Sequence, residues 1–439
     1  MICFPRIGTS CQRAAWLISA AATMLASACG ASTSTGAATP TTVASATAAK
    51  PAASTPASVQ TTTSPQPSAV AKPGATPGAV TVAPSPVASP AVAAASPVPA
   101  ASPLAVNFQV GNPSSAVTLQ ESGSTLVLPY LQKLADPFHA AYSNITLAPS
   151  GGGSGKGISD AAAGTVQLGG SDAYLSDQQA QQNGNLLNIP IAISSQAVNY
   201  NLPGIADLKL NGDVLARMYE GHITNWNDAA IGALNPGVSL PNQPIIPVRR
   251  VDASGDTFIF SSLLTVTNGE WKNGPAYGTT VTWPAVQSEV TANGNPGMVQ
   301  VCQQNPGCVA YIGISVEQTA LSQSLGEALL QNQDGQFLHP TQQTVAAAVS
   351  AGAVSTPDDL RQALIYVAGE QSYPIVNYEY LMVQSKQPDA NTALALRTFF
   401  AWAIDPTKGS TPDNLNSVQF VALPESVLPK AIAAIGKIS

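Results

Sequence analysis

The segment from Arg249 to Phe258 has the residue types and the order of an oxyanion-binding site. An apolar run at residues 244–248 predicts a buried strand before it, and the residues from Phe258 onward predict a helix. The first N–H groups of a helix have no partner within the helix, and the helix dipole adds partial positive charge there. Arg250 adds a planar guanidinium that donates two parallel hydrogen bonds. This order predicts an anion site, although Asp256 places an acid where a negative ligand would bind.

Three earlier junctions between a strand and a loop carry small polar residues of the same kind. The predicted strands and the polar residues that follow them are 116–120 with Ser124-Thr125, 144–148 with Ser154, and 166–168 with Ser171-Asp172. Helical patterns lie between them, and this alternation predicts α/β lobes with largely parallel sheets, in which ligands bind beyond the carboxyl ends of the strands. Each polar residue alone could be only a helix cap. Four such junctions with one arginine favour a single shared oxyanion.

Two enzyme motifs fail in the glycine-rich loop between Ser150 and Gly157. A P-loop requires glycine where Ser150 stands, and Ser or Thr where Gly157 follows Lys156. A GxSxG nucleophile elbow fails because Lys156 stands two residues after Ser154. None of the four loops contains a histidine that could serve as the base for a serine nucleophile. No motif in these loops therefore demands an enzyme, and the prediction that we carry forward is a binding protein without enzymatic activity.

Residues 1–29 have the pattern of an export signal. The basic residues Arg6 and Arg13 precede an apolar run of small residues at 14–28. This run is short for a membrane-spanning helix. Cys29 follows Ala26-Ser-Ala28, which resembles a lipobox whose cysteine becomes lipid-modified after cleavage, although the preferred leucine stands one place too early. We predict a lipid-anchored protein outside the cytoplasm, with a plain secretory signal as the alternative.

Residues 30–106 consist almost wholly of Ala, Ser, Thr, Pro, Val and Gly, and this composition predicts a disordered, extended tether. The rest of the chain, about 330 residues, exceeds the usual size of one core and predicts two lobes. The formal charge of −7 becomes −9 once Arg6 and Arg13 leave with the signal. Such acidity argues against nucleic acid as a partner, but it permits a local site for a small anion.

The globular part contains two of the five cysteines, Cys302 and Cys308. The intervening Asn305-Pro-Gly307 is a turn signal, and an exported protein favours a local disulfide between them. The three histidines are scattered without the spacing of metal ligands. We therefore predict a disulfide, no metal and no cofactor.

Four segments around the predicted site resemble the ligand loops of the phosphate-binding protein of the bacterial phosphate ABC transporter, the PstS family. They are Glu121-Ser-Gly-Ser-Thr-Leu126, Gly152-Gly-Ser-Gly-Lys-Gly157, Gly170-Ser-Asp-Ala-Tyr-Leu-Ser176 and Arg250-Val-Asp-Ala-Ser-Gly-Asp-Thr257. Segments outside the site, such as Gly307–Gly313 and Tyr373–Tyr380, also fit, so the resemblance covers about residue 115 to the C-terminus. The Ser-Gly-Asp-Thr variant and the local cysteine pair are most similar to the actinobacterial lipid-anchored form.

The resemblance implies an α/β, two-lobed periplasmic-binding-protein fold of type II. Two crossover strands, near residues 192–198 and 374–377, would form the hinge, and the ligand would lie in the cleft between the lobes. Lobe I would comprise residues 107–198 and 370–439, and lobe II residues 199–369. The implied function is high-affinity phosphate binding by a lipid-anchored monomer at the outer face of the cytoplasmic membrane, with delivery to the transmembrane permease subunits of an ABC transporter.

The resemblance also assigns phosphate-binding roles. The donors would be Thr125, Leu126, Ser154, Arg250, Ser254 and Gly255. Asp172 accepts instead, and a carboxylate beside an oxyanion is repulsive unless a proton lies between them. Phosphate carries such a proton at neutral pH and sulfate does not, so Asp172 would select phosphate over sulfate.

Two residues depart from the commoner family pattern. Asp256 stands where a threonine donor is common. It is either an acid that stabilises the first turn of its own helix, a partner of Arg250, or a second acceptor for a ligand proton. Ala253 stands where glycine is usual, and it would be strained only if that position requires a positive φ.

Three other functions remain as alternatives: a carrier of a related oxyanion, a surface adhesin or sensor with the same fold, and a phosphatase. The phosphatase has the least support, since the sequence offers neither a metal cluster nor a nucleophile–base pair.

Overall fold

The computed structural model describes residues 102–439 of the chain. The predicted signal with Cys29, and the predicted tether up to residue 101, lie outside the described residues. Within residues 102–439, no helix combines the length and the apolar character that crossing a bilayer requires.

The described residues form strands and α-helices that alternate along much of the chain. The strands are β1 (Val117–Gly123), β2 (Ile145–Ala148), β3 (Leu168–Ser171), β4 (Leu186–Tyr200), β5 (Lys209–Leu210), β6 (Ile246–Arg250), β7 (Val290–Ala292), β8 (Cys308–Gly313), β9 (Gly326–Glu327), β10 (Leu329–Gln331), β11 (Phe337–Leu338), β12 (Ala363–Ile365) and β13 (Ile375–Gln384). The helices are α1 (Leu128–Ala141), α2 (Ser154–Ala163), α3 (Asp177–Gln182), α4 (Gly212–Tyr219), α5 (Ala229–Leu234), α6 (Gly255–Thr267), α7 (Gly269–Asn273), α8 (Gly294–Gln304), α9 (Glu317–Ser322), α10 (Gln342–Gly352), α11 (Ala390–Ala403), α12 (Pro412–Asn416) and α13 (Leu428–Ile435).

Most strands join in one sheet with the order β2-β1-β3-β13-β4-β8-β6-β7, with β12 paired to β13 and β9 to β4. Strand β1 is parallel to β2 and β3, which we call the first strand set, and β6 is parallel to β7 and β8, the second strand set. The long strands β4 and β13 lie between the sets and are antiparallel to each other. The predicted α/β class is confirmed, and the two predicted crossover segments lie in or beside these central strands.

Several element boundaries differ from the sequence-based prediction: β6 and α6 begin at Ile246 and Gly255 rather than at Pro244 and Phe258, and β1 and β3 differ at the site itself. Strand β1 continues to Gly123, and β3 includes Gly169 and Gly170, a pair that the sequence had indicated as a loop. A Cβ at Gly123 would overlap the carbonyl of Gly170, and a Cβ at Gly169 would overlap that of Gly157 in α2. These glycines therefore allow β1, β3 and α2 to approach closely, which places the ends of the first strand set at one edge.

An aromatic cluster fixes the end of β6, where the predicted site begins. Tyr311 of β8 stacks on Phe260 of α6 with ring centroids 4.5 Å apart, and on Trp283 at 6.1 Å. The Tyr311 hydroxyl accepts a hydrogen bond from the backbone N–H of Arg250 (2.9 Å). Buried aromatic pairs with such geometry stabilise a core beyond the effect of their area alone.

Cys302 in α8 and Cys308 at the start of β8 are both buried and form a disulfide with a Cα–Cα distance of 5.3 Å. Replacing both with alanine is expected to lower the free energy of unfolding by about 2 kcal/mol, because the bond restricts a short loop of the unfolded chain. Urea unfolding measures this loss. The reduced wild-type protein is the matched control, and a double variant as stable as the oxidised protein would contradict the expectation.

Candidate functional site

The N-terminus of α6 is arranged as a helix start. The Ser254 hydroxyl caps it by accepting a hydrogen bond from the N–H of Thr257 (3.3 Å), and the Ser254 N–H donates to the carbonyl of Thr279 (2.8 Å). The N–H groups of Gly255 and Asp256 precede the first intrahelical hydrogen bonds of α6. Ala253 does not have a positive φ, so its side chain causes no strain there.

Arg250, at the end of β6, is a buried cation between two carboxylates. Its Nε donates to Asp252 Oδ1 (2.7 Å), its Nη2 contacts Asp252 Oδ2, and its Nη1 donates to Asp256 Oδ2 (2.8 Å). Burial alone would lower the pKa of Arg250, but the hydrogen bonds with Asp252 and the charge of Asp256 raise it above its usual range. Arg250 therefore stays charged, and Asp252 and Asp256 hold its guanidinium in one orientation.

Asp256, in the first turn of α6, is as buried as Arg250. Its Oδ2 accepts from Arg250 and from Asn295 Nδ2 (2.8 Å), and its Oδ1 accepts from Gln196 Nε2 (3.1 Å). Burial raises the pKa of Asp256 above its usual range, against the stabilising effect of Arg250 and the two amide donors. Of the sequence-based interpretations, the partnership with Arg250 is the one that this structure contains directly.

Asp172 follows β3 and faces the start of α6. Its Oδ1 accepts from the Ser124 hydroxyl and its Oδ2 accepts from the Ser154 hydroxyl (3.2 Å). Burial, and then the charge of nearby Asp256, raise the pKa of Asp172 to about 7. A carboxyl with that pKa is partly ionised at neutral pH, and its ionised form accepts a hydrogen bond from a ligand that carries a proton.

Thr125 and Leu126 lie at the end of the first strand set and are already hydrogen-bonded. Thr125 Oγ1 accepts from the N–H of Asn295 (3.0 Å), which lies at the start of α8. The N–H of Leu126 donates to the Ser124 hydroxyl (2.9 Å), so it is not free as the sequence-based interpretation supposed. The Ser124 hydroxyl is thus the immediate partner of both Leu126 and Asp172.

The ends of the two strand sets touch at this site. The N–H of Gly155 in α2 donates to the carbonyl of Ala253 before α6 (2.8 Å). A Cβ at Gly255 would overlap the side chains of Asp172 and Ser154. All eight residues predicted to bind the anion therefore lie in one buried region, contributed from both sides of the central strands.

Sequence reasoning missed several residues of this region. The sequence-based prediction gives Asp252 no role, although residues two apart at a strand end share a face. Gln196 and Glu379 are polar residues inside apolar runs. A polar residue that is buried indicates a specific partner or role, which a buried apolar residue does not. Asn295 lies in Asn293-Gly-Asn-Pro-Gly297. The Gly and Pro neighbours indicate a turn, so the sequence gives no signal that Asn295 contacts the site.

Comparisons with known proteins agree with this geometry. The family model of the PBP superfamily domain matches residues 109–407. Among curated relatives, the phosphate-binding protein PstS of Methanocaldococcus jannaschii is 33% identical over 345 residues, covering 74% of this chain and 87% of the relative. The phosphate-binding protein PstS 3 of Mycobacterium leprae is 32% identical over 320 residues, covering 70% and 84%.

Solved structures share the fold at lower identity. A high-affinity periplasmic phosphate-binding protein (PfluDING) with bound phosphate has a TM-score of 0.57 and 21% identity, covering 73% of this chain and 93% of its own. A phosphate ABC transporter substrate-binding protein with bound phosphate from Clostridium perfringens has a TM-score of 0.51 and 18% identity, covering 70% and 100%. At such identities these structures establish the two-lobed α/β architecture alone.

Proposed function

The chain belongs to the phosphate-binding protein PstS family, and on this premise we propose that it binds inorganic phosphate outside the cytoplasm with high affinity and delivers it to an ABC permease. The observation that carries this function is the combination of one buried cation, Arg250, with one buried acceptor, Asp172, in the same site. The N–H groups at the start of α6 supply further donors. A site with both donors and a carboxylate acceptor fits an anion that itself carries a proton.

The proposed ligand-binding residues are the eight named from the sequence: Thr125, Leu126, Ser154, Asp172, Arg250, Ser254, Gly255 and Asp256. The contact between Gly155 and Ala253 closes the region, so phosphate must enter when the two strand sets separate. We assign residues 107–198 and 370–439 to lobe I and residues 199–369 to lobe II, with β4 and β13 as the hinge. A ligand that contacts both lobes stabilises the closed state through contacts that the open state lacks.

The direct test is calorimetric titration of purified protein, stripped of ligand, with inorganic phosphate. Competition with sulfate, arsenate and molybdate then distinguishes a phosphate receptor from a carrier of a related oxyanion. Saturable phosphate binding that sulfate does not displace supports the function. The absence of phosphate binding would refute it and favour an adhesin or sensor.

The pH dependence of binding tests the role of Asp256 as a second acceptor. With Asp172 and Asp256 both accepting, the bound ion is monobasic, so binding of the dibasic ion takes up a proton. Apparent affinity should then rise by up to about tenfold per pH unit as the pH falls from 8 toward 7. The rise should level off below that, since Asp172, with a pKa of about 7, begins to hold its own proton.

Asp256→Asn removes the second acceptor and should flatten this profile, because the amide requires no ligand proton. Titrations of both proteins from pH 8 to pH 5 provide the comparison. A flat wild-type profile that Asp256→Asn leaves unchanged would exclude the second-acceptor role.

We further assign the protein to the outer face of the cytoplasmic membrane as a monomer anchored through lipid on Cys29, as in the actinobacterial form, without catalytic activity. The signal pattern of residues 1–29 supports the anchor. Mass spectrometry of the mature N-terminus, with Cys29→Ala as the control, tests lipidation. Lack of turnover of a chromogenic phosphate ester tests the absence of phosphatase activity.

A further inference from the structure

The central strands carry a group of buried polar side chains directly behind the anion site. They are Ser194, Ser195 and Gln196 in β4, and Asn377 and Glu379 in β13. Only Glu379 among them is ionisable, and it is fully buried. A buried carboxylate without a cation is costly, so such a group is held neutral or paired with a proton donor.

The contacts of Glu379 show which of its oxygens requires a proton. Oε1 accepts hydrogen bonds from the Ser194 hydroxyl (2.5 Å) and from Asn377 Nδ2 (3.2 Å). Oε2 is buried and receives no hydrogen bond from any group in residues 102–439. Strand β13 pairs with β3 so that Tyr380 lies opposite Ser171, which places Glu379 beside Asp172. Asn377 Nδ2 links Glu379 Oε1 to the main-chain carbonyl of Asp172, and each carboxyl raises or lowers the pKa of the other as a close neighbour does. Two adjacent carboxyl groups in a buried site do not both ionise, so one proton lies between them.

The surroundings place that proton on Glu379. Asp172 accepts from two hydroxyl groups, those of Ser124 and Ser154, and it also feels the charge of Arg250. The charged groups that most affect the pKa of Glu379 are the acids Asp172 and Asp256, and both raise it. Burial and then the charge of Asp172 raise the pKa of Glu379 well above its usual range, whereas that of Asp172 is about 7.

Strand β13 holds Asp172 at a second point. Asn377 Nδ2 donates to the main-chain carbonyl of Asp172 (3.2 Å) as well as to Glu379 Oε1. Asn377 lies directly opposite Ser194 in the pairing of β13 with β4. The network thus joins the central strands to the acceptor of the site.

We propose that Glu379 is a positioning residue for phosphate binding: its neutral carboxyl donates a hydrogen bond to Asp172 and keeps Asp172 an ionised acceptor that faces the ligand. The inference rests on the proposed function and deepens it. Discrimination by ligand protonation then depends on a residue that does not touch the ligand.

The test compares Glu379→Gln with Glu379→Met in the full-length, ligand-stripped protein. Glutamine keeps an acceptor for Ser194 and Asn377 and offers an N–H to Asp172, so phosphate affinity and preference over sulfate should stay within about threefold of wild type. Methionine has a similar length but donates nothing. It should lower both by about tenfold or more, the usual effect of losing a hydrogen bond to a charged group.

Glu317→Gln is the control, since Glu317 is a half-buried acid whose pKa burial raises to about 7, and it faces Glu327 rather than the anion site. It should leave binding unchanged. The inference is overturned if Glu379→Met binds phosphate as tightly and as selectively as wild type. It is also overturned if Glu379→Gln binds as weakly as Glu379→Met. If wild type itself binds no phosphate, the proposed function fails instead.

Infrared spectroscopy tests the location of the proton without any ligand, and it serves if Glu379→Met does not fold. At pH 7 the difference between wild type and Glu379→Gln should contain the carbonyl stretch of a neutral carboxyl. A difference that contains only the bands of an ionised carboxylate overturns the inference.

Discussion

Replacing Arg250 with glutamine is expected to lower phosphate affinity by about a thousandfold, because removing one partner of a buried charge pair costs several kcal/mol. Arg250 is a buried cation of the site, and its orientation is set by Asp252 and Asp256. Calorimetric titration with phosphate measures the loss. The thermal stability of the variant must also be measured, because Asp252 and Asp256 lose their partner in the folded protein.

Arg250→Lys is the control that separates charge from shape. Lysine keeps the positive charge but cannot donate in a planar fork, so affinity should still fall by about a hundredfold. A lysine variant with wild-type affinity would mean that charge alone suffices. A folded glutamine variant with wild-type affinity would mean that Arg250 lies outside the ligand site.

Asp172→Asn is expected to lower the preference for phosphate over sulfate by about a hundredfold, because it replaces an obligatory acceptor with a group that also donates. The asparagine amide no longer requires a proton on the ligand. Sulfate affinity should rise while phosphate affinity falls. Competition titrations at neutral pH provide the ratio.

Asp177→Asn is the matched control for this change. Asp177 lies five residues away in α3, with its side chain largely exposed, and it pairs with Arg361 outside the anion site. It should leave the ratio unchanged. An Asp172→Asn protein that still rejects sulfate as wild type does would contradict the role of Asp172 as the discriminating acceptor.

Local sequence signals were sufficient to locate most of the candidate site. Short segments in which turn residues and apolar runs alternate indicate each part of it. These parts are the strand before Arg250, the helix start at Ser254-Gly255, and the polar ends of β1 and β3. The α/β class follows from that alternation. The errors at β1 and β3 came from glycines that serve close strand packing and look like loop residues when read alone.

The support behind the site could not be read from local signals. Ser194 and Asn377 meet only because β4 and β13 pair in one particular register. Glu379 lies beside Asp172 because β13 also pairs with β3, with Tyr380 opposite Ser171. Nothing in Tyr378-Glu379-Tyr380 indicates a partner in another strand. Hydrogen bonds between such distant segments depend on the completed sheet.

The position of β13 also bears on how this chain folds. Strand β13 lies between β3 and β4, yet it follows all other strands of residues 102–439 in the sequence. Both of its neighbours therefore have an open edge until residues 375–384 have been synthesised. Long-range pairing of this kind slows folding, because distant segments must meet before their contacts stabilise the sheet. A nascent chain that does not yet contain residues 375–384 therefore cannot complete the sheet, and it reaches its native state only after synthesis has passed β13.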